Sequence, residues 1–313
     1  MSDALLEIQS LRVQFGAFLA VDDVSFALRA GELMGMIGPN GAGKTTTLRA
    51  AAGLQLPTTG AIRILGHDVH RDPTMVGRYL GFTPDTPAVY EMLTVEQFLG
   101  FIARAYDIPR TLAEQRIDHW LEQLWIADKR KEKISTLSRG MRQRLGVART
   151  LLPDPAVILL DEPAAGLDPA GRVQFRQLLA ALRDQGKAMI VSSHILADLA
   201  EYCTHIGIMG HGRMVQFGTV ASVAGGVDVT TDRYRVVLVH RVGDLDARLD
   251  MIPDVRCVSR DGDVLQVEVP AGREHAARLL AELVKVGLPV SEFRHLPPDL
   301  EQAYLRTGIR QVD

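Results

Sequence analysis

The stretch "MIGPNGAGKTTTLRA", Met36 to Ala50, sets three glycines, a lysine and three threonines between an apolar run and a helix-like run. Leu33, Met34, Met36 and Ile37 read as the end of a buried strand, and "TTTLRAAAGL" reads as a helix closed by Gly53. The glycines therefore occupy a strand-to-helix turn. Gly38, Gly41 and Gly43 permit backbone angles and close approaches that a side chain would forbid, so successive N–H groups can curl around an anion. The helix that follows aims its positive N-terminus into the same space. Lys44 adds a point charge suited to the outer phosphates of a nucleotide, and the Thr45 hydroxyl is placed to ligate Mg²⁺. Gly38 to Thr45 fits G-x-x-x-x-G-K-[ST], a match that chance produces on the order of once in a hundred chains of this length. Asn40 and Thr46 complete the expected phosphate-binding set.

The chain has 313 residues, of which 47% are hydrophobic, enough for one large domain and a small one. A net charge of -3, from 35 basic and 38 acidic residues, supplies no electrostatic reason to expect nucleic acid. Cys203 and Cys257 are far apart and lack metal-type spacing, which argues against a disulfide framework or zinc site and for a cytosolic chain. The start "MSDALLEIQS" has no basic region followed by an apolar core, and no run approaches eighteen apolar residues, so no leader and no spanning helix are expected.

Outward from the loop, "EIQSLRVQF" and "VDDVSFAL" alternate as strands around a turn near Gly16, and "GAIRILGHDV" returns to that spacing. From residue 86 to about 150 the period becomes helical, with Val95, Phe98, Leu99, Ile102 and Tyr106, then Ile117, Trp120, Leu121, Leu124 and Trp125. Strands resume with "AVILLDEP", "KAMIVSSH", "HIGIMG" and "RMVQFG", the first two apolar enough to be covered on both faces. After a linker at 224–232, residues 233–313 read in the order βαββαβ, a small α+β unit.

The second half of a nucleotide site is offered by "VILLDEP". Asp161 ends a buried strand, where it can hold Mg²⁺ directly or through water, and Glu162 beside it is the choice for orienting or deprotonating the attacking water. Taken alone, "DEPAAGLDP" reads equally well as an acidic helix start after a strand.

Between these motifs stands "LSRGMRQRL", Leu137 to Leu145, and after them come "GLDP", Gly166 to Pro169, and His194 at the end of "MIVSSH". That ordered set resembles the nucleotide-binding subunit of ABC transporters, whose signature segment usually reads LSGGQ, over residues 5 to about 220. The resemblance implies an α/β fold with a P-loop NTPase (ABC ATPase) core, an antiparallel β subdomain and a helical subdomain within residues 1–223, and ATP and Mg²⁺ as ligands. It implies head-to-tail closure of two such chains, as homodimer or heterodimer, over two ATP molecules. Ser138 and Gly140 would then touch the γ-phosphate held by the partner's Lys44. By the same resemblance His194 is the switch histidine supporting the water held by Glu162, Asp168 communicates across the dimer interface, and Phe15 stacks on adenine. Without it, Phe15 reads as core and His194 as a satisfied polar residue.

Two positions depart from the family pattern. Asp85 stands where a glutamine is usual; it reads either as a metal ligand acting through water or as a turn residue between Pro84 and Pro87. Arg139 and Met141 replace signature residues, while the serine hydroxyl and backbone N–H groups that carry phosphate contact remain. The "LSRGM" signature, "GFTPDTPAVYEMLTVEQFL" and "PPDLEQAYLRTG" together resemble the ATPases of ABC-2 type exporters. Such a subunit is peripheral on the cytoplasmic face of the membrane and works with an integral membrane permease. Its docking surface would involve Tyr90, Phe98, Phe101 and Tyr106, which otherwise read as core of the helical subdomain. The alternative is a soluble ABC-type ATPase acting on nucleic acid or ribosomes, whose usual paired cassettes, zinc modules and coiled coils are not visible here.

Overall fold

The computed structural model describes residues 3–193, 196–225, 231–296, 300, 303–304 and 307–309. They form two compact units, residues 1–219 with 307–313, and Val220–Arg306.

The first unit begins with β1 (Ala4–Phe15) and β2 (Phe18–Arg29), a hairpin whose alternating burial follows the period of two seen in the sequence. β3 (Leu33–Ile37) is buried at every residue and feeds α1 (Lys44–Ala51). β4 (Thr59–Ile64) and the short β5 (His67–Asp68) extend the hairpin to an antiparallel sheet of order β2-β1-β4-β5. α2 (Pro73–Tyr79), which the sequence spacing does not announce, leads into β6 (Leu80–Thr83). Seven residues with a single buried side chain, Val76, leave too little apolar pattern to read.

The helical region follows as α3 (Val95–Ala105), α4 (Arg110–Gln123) and α5 (Arg139–Leu151). α3 starts at a reciprocal capping box: Gln97 N–H donates to Thr94 Oγ1, and Thr94 N–H donates to Gln97 Oε1, worth about 1 kcal/mol. Val95, Phe98 and Leu99 are buried at 0–1% exposure, as their spacing predicts, whereas Tyr106 and Trp125 stay 44% and 39% exposed.

β7 (Val157–Leu160), α6 (Pro169–Asp184), β8 (Ala188–Ser192), α7 (Leu196–Tyr202), β9 (His205–Gly210) and β10 (Arg213–Thr219) complete this unit. The six-stranded sheet has the order β10-β9-β3-β8-β7-β6, parallel except for the β9–β10 hairpin at one edge. β3, β7 and β8 are apolar throughout apart from Gly35 and Ser192 and wholly buried, as central parallel strands must be. Their burial is the main favourable term, on the order of 2 kcal/mol for each fully covered Leu, Ile, Val or Met.

The second unit contains α8 (Val220–Gly225), β11 (Thr231–Leu238), α9 (Leu245–Leu249), β12 (Arg256–Asp261), β13 (Val264–Pro270), α10 (Arg273–Lys285) and β14 (Val290–Leu296). The stretch read as a linker, 224–232, thus holds the end of α8 and the start of β11, with 226–230 outside the described residues. The antiparallel order β12-β13-β11-β14 is the split β-α-β arrangement. Tyr234, Val236 and Leu238 of β11 meet Leu265 and Val267 of β13 and Leu279 and Leu283 of α10 in a core of their own.

Candidate nucleotide site

Strand order in the parallel sheet brings distant parts of the sequence to one edge. The C-terminal tips of β3, β8, β7 and β6 lie side by side, carrying the glycine loop, Ser192, Asp161 with Glu162, and the Thr83–Asp85 turn respectively. The outer ends of parallel strands are where α/β sheets bind ligands. A cleft of about 260 Å³ opens here, lined by Phe18, Ala20, Asn40 to Thr46, Asp85, Asp161 and Glu162.

The loop can have this shape only because two of its positions lack side chains. A Cβ at Gly38 would lie 2.4 Å from the Met209 carbonyl oxygen; one at Gly43, where φ is +99°, would lie 2.6 Å from the Ala20 carbonyl oxygen. Lys44 is 7% exposed, and its Nζ donates to the carbonyl oxygens of Gly38 at 2.6 Å and Pro39 at 3.1 Å. Burial pulls its pKa below the ordinary lysine value, against the opposing pull of the Glu162 and Asp161 carboxylates. Thr45 is exposed at the start of α1, and Thr47 is buried with its hydroxyl donating to Gly43 O at 2.9 Å.

Opposite the lysine, Asp161 is 1% exposed. Its backbone N–H donates to Thr83 O at 2.9 Å, and its Oδ1 accepts from Ser192 Oγ at 2.6 Å. Oδ2 is buried with no hydrogen-bond partner among the described residues. A buried carboxylate oxygen without a donor is costly unless a cation completes it, so the donor set fits a hard divalent ion. Glu162 has a left-handed backbone with φ +47°, and its N–H donates to Ser192 Oγ at 2.9 Å; that conformation costs on the order of 1 kcal/mol.

Several expectations are modified by the geometry. Phe15 is 47% exposed and is not a lining residue of the cleft; Phe18, its cross-strand partner and 63% exposed, is. The reason is sheet order: β2 is the edge strand beside the loop, so Phe18 and Ala20, two residues apart on one face, reach the cleft, while Phe15 sits on the next strand in. Asp85 lines the cleft and also lies 3.9 Å from the Arg139 guanidinium, so the two departures from the family pattern face each other. Ser138 caps α5 by accepting from Met141 N–H at 3.3 Å, and a Cβ on Gly140 would lie 2.8 Å from Gly166 O. Ser138 and Gly140 do not line the cleft. Asp168 caps α6, accepting from Gly171 N–H at 3.0 Å, and lies 3.7 Å from Arg144, which in turn sits 6.0 Å from the Trp125 ring centre. His194 lies outside the described residues.

Nothing in the sequence singles out Ser192. Its only signal is position, two residues before His194 at the end of an apolar strand, and a serine there reads as a strand end.

Residues 21–165 match the ABC transporter family model. The chain is 32% identical over 304 residues to the uncharacterized ABC transporter ATP-binding protein YxlF of Bacillus subtilis (strain 168), covering 96% of this chain and 99% of that one. It is 29% identical over 313 residues to the Nod factor export ATP-binding protein I of Ralstonia nicotianae (strain ATCC BAA-1114 / GMI1000), covering 99% and 96%. A solved structure of the ATP binding subunit of an ABC transporter shares 32% identity and a TM-score of 0.67 over 71% of this chain and 94% of that one. Identity of this extent, joined to a phosphate loop and a buried carboxylate facing one cleft, makes the chain a member of the ABC transporter ATP-binding proteins and, with them, an ATPase.

Proposed function

We propose that this chain powers an exporter of the ABC-2 type by binding ATP with Mg²⁺ in the cleft and closing head to tail on a second nucleotide-binding chain. Proteins of this family generally pair with membrane permease subunits and dimerise. Match over nearly the whole length to a protein named for Nod factor export carries the exporter reading, and favours it over the soluble ATPase.

Lys44 and the loop N–H groups hold the phosphates, and the lysine leaves its carbonyl partners to do so. Asp161 and Thr45 would hold the metal, with Asp85 as a further oxygen donor, and the ion would supply positive charge against the phosphates. Support comes from the unpartnered Asp161 Oδ2. Glu162 orients the attacking water and accepts its proton, and the family resemblance gives His194 the task of supporting that water. Phe18 takes the place expected of Phe15 against the base. Ser138 and Gly140 reach the nucleotide held by the second chain, and Asp168 lies toward that interface.

Among the described residues no helix is long and apolar enough to cross a membrane. On the exporter reading a separate permease chain carries the spanning helices, and this chain acts on it from the cytoplasmic face. Tyr90, Met92, Phe101 and Tyr106, all at least 43% exposed, form the docking surface, while Phe98 is core. The second unit, Val220–Arg306 where the sequence spacing suggests 233–313, serves as an accessory domain. The decisive experiment is to tag a Glu162→Gln chain in its native cells and identify what co-purifies in mild detergent. An integral membrane protein is expected; ribosomal or DNA-associated partners would overturn the exporter reading.

A further inference from the structure

We infer that Ser192 is a positioning residue for the ATPase reaction, one hydroxyl that sets both the metal-holding face of Asp161 and the backbone that carries Glu162. The inference rests on the roles proposed for those two acids. Ser192 is 0% exposed and stands at the tip of β8, between the phosphate-loop strand β3 and the Asp161 strand β7. In the ladder it lies opposite Met36, two residues before the loop begins at Gly38. Its Oγ donates to Asp161 Oδ1 at 2.6 Å and accepts from Glu162 N–H at 2.9 Å.

Each bond has a distinct consequence. The first occupies Oδ1, so the carboxylate cannot rotate freely and Oδ2 is the oxygen left for a cation; partners outside the coordination shell commonly change metal affinity or activity 10–100-fold when removed. The second holds the peptide of Glu162 at φ +47°, a conformation that glutamate adopts only when its surroundings impose it. A single donor–acceptor group thus links metal placement to base placement, and alanine removes both links while leaving a small buried residue in a strand.

The test compares Ser192→Ala, Ser192→Thr, Asp161→Asn and wild type by three readings: affinity for a non-hydrolysable ATP analogue in EDTA, the Mg²⁺ concentration that half-restores tight analogue binding, and steady-state kcat and KM at saturating Mg²⁺. Ser192→Ala should keep the EDTA affinity and KM within about twofold, raise the Mg²⁺ requirement about 10-fold and lower kcat about 10–100-fold. Ser192→Thr, which restores the hydroxyl, should recover most of both losses. Wild-type Mg²⁺ dependence and kcat in the alanine variant would overturn the inference. So would an equal loss of EDTA affinity and kcat, or a folded threonine variant no better than alanine. If Asp161→Asn leaves the Mg²⁺ requirement unchanged, the assignment of Asp161 fails first, and the inference about Ser192 with it.

Discussion

Phe18 shows how much one ring's strand assignment matters. Its ring is 63% exposed beside the phosphate loop, an arrangement that costs apolar burial unless a ligand covers it. If it meets the base, Phe18→Ala should weaken ATP binding about 2–12-fold, the worth of one aromatic stacking contact. Phe15→Ala, one strand further from the cleft, should change it less than twofold. Isothermal titration with ATP and with triphosphate alone checks this, because triphosphate affinity should be the same in both variants.

At the scale of elements, capping and clasping residues hold the helices and sheets that present the site. Asp168 accepts from Gly171 N–H at the start of α6 and lies near Arg144 of α5. Asp168→Ala should therefore cost about 1 kcal/mol in chemical denaturation, and Asp168→Asn, an equally good cap, should cost little. If Asp168→Asn still lowers ATPase activity, a role at the interface is separated from the cap. The antiparallel sheet is tied to the edge hairpin of the parallel sheet through Asp22. It accepts from Arg213 at 2.5 and 2.9 Å and from Arg12 at 2.6 Å. The Arg213 and Arg12 hydrogen bonds, in that order, hold its pKa below the ordinary carboxylate value of 3.8. Because the folded pKa is lowered, the stability from this clasp is fully present above the unfolded value and is lost as pH falls through the folded one. Asp22→Asn should lower Tm at pH 7, and its difference from wild type should shrink as pH falls below about 4, read by thermal melts across pH.

For the whole molecule, the signature residues Ser138 and Gly140 lie outside the cleft lining, and the proposed head-to-tail closure requires a second chain to bring them to the nucleotide. A Glu162→Gln chain should therefore form an ATP-dependent dimer, visible by light scattering. Adding Ser138→Arg should abolish that dimer while changing monomer ATP affinity less than about threefold. Unimpaired dimerisation would exclude the head-to-tail site.

The local devices were legible in the residues themselves, because each depends on neighbours in sequence. The strand-to-helix turn at Gly38–Thr45, the continuous apolar runs of the central strands, the helical spacing of Val95, Phe98 and Leu99, and the βαββαβ order of the second unit are of this kind. A short polar-rich helix such as Pro73–Tyr79 carries no such pattern. What only the tertiary structure decided is adjacency. Strand order β3-β8-β7 is not chain order, so nothing local says that Ser192 stands between the loop and Asp161. Edge position in the hairpin sheet, and no property of either ring, puts Phe18 and not Phe15 in the cleft lining. The facing of Asp85 and Arg139, 54 residues apart in the sequence, has the same origin. Hydrogen bonds and periodicity act over a few residues and can be read along a chain, whereas the packing of a sheet sums over many distant contacts.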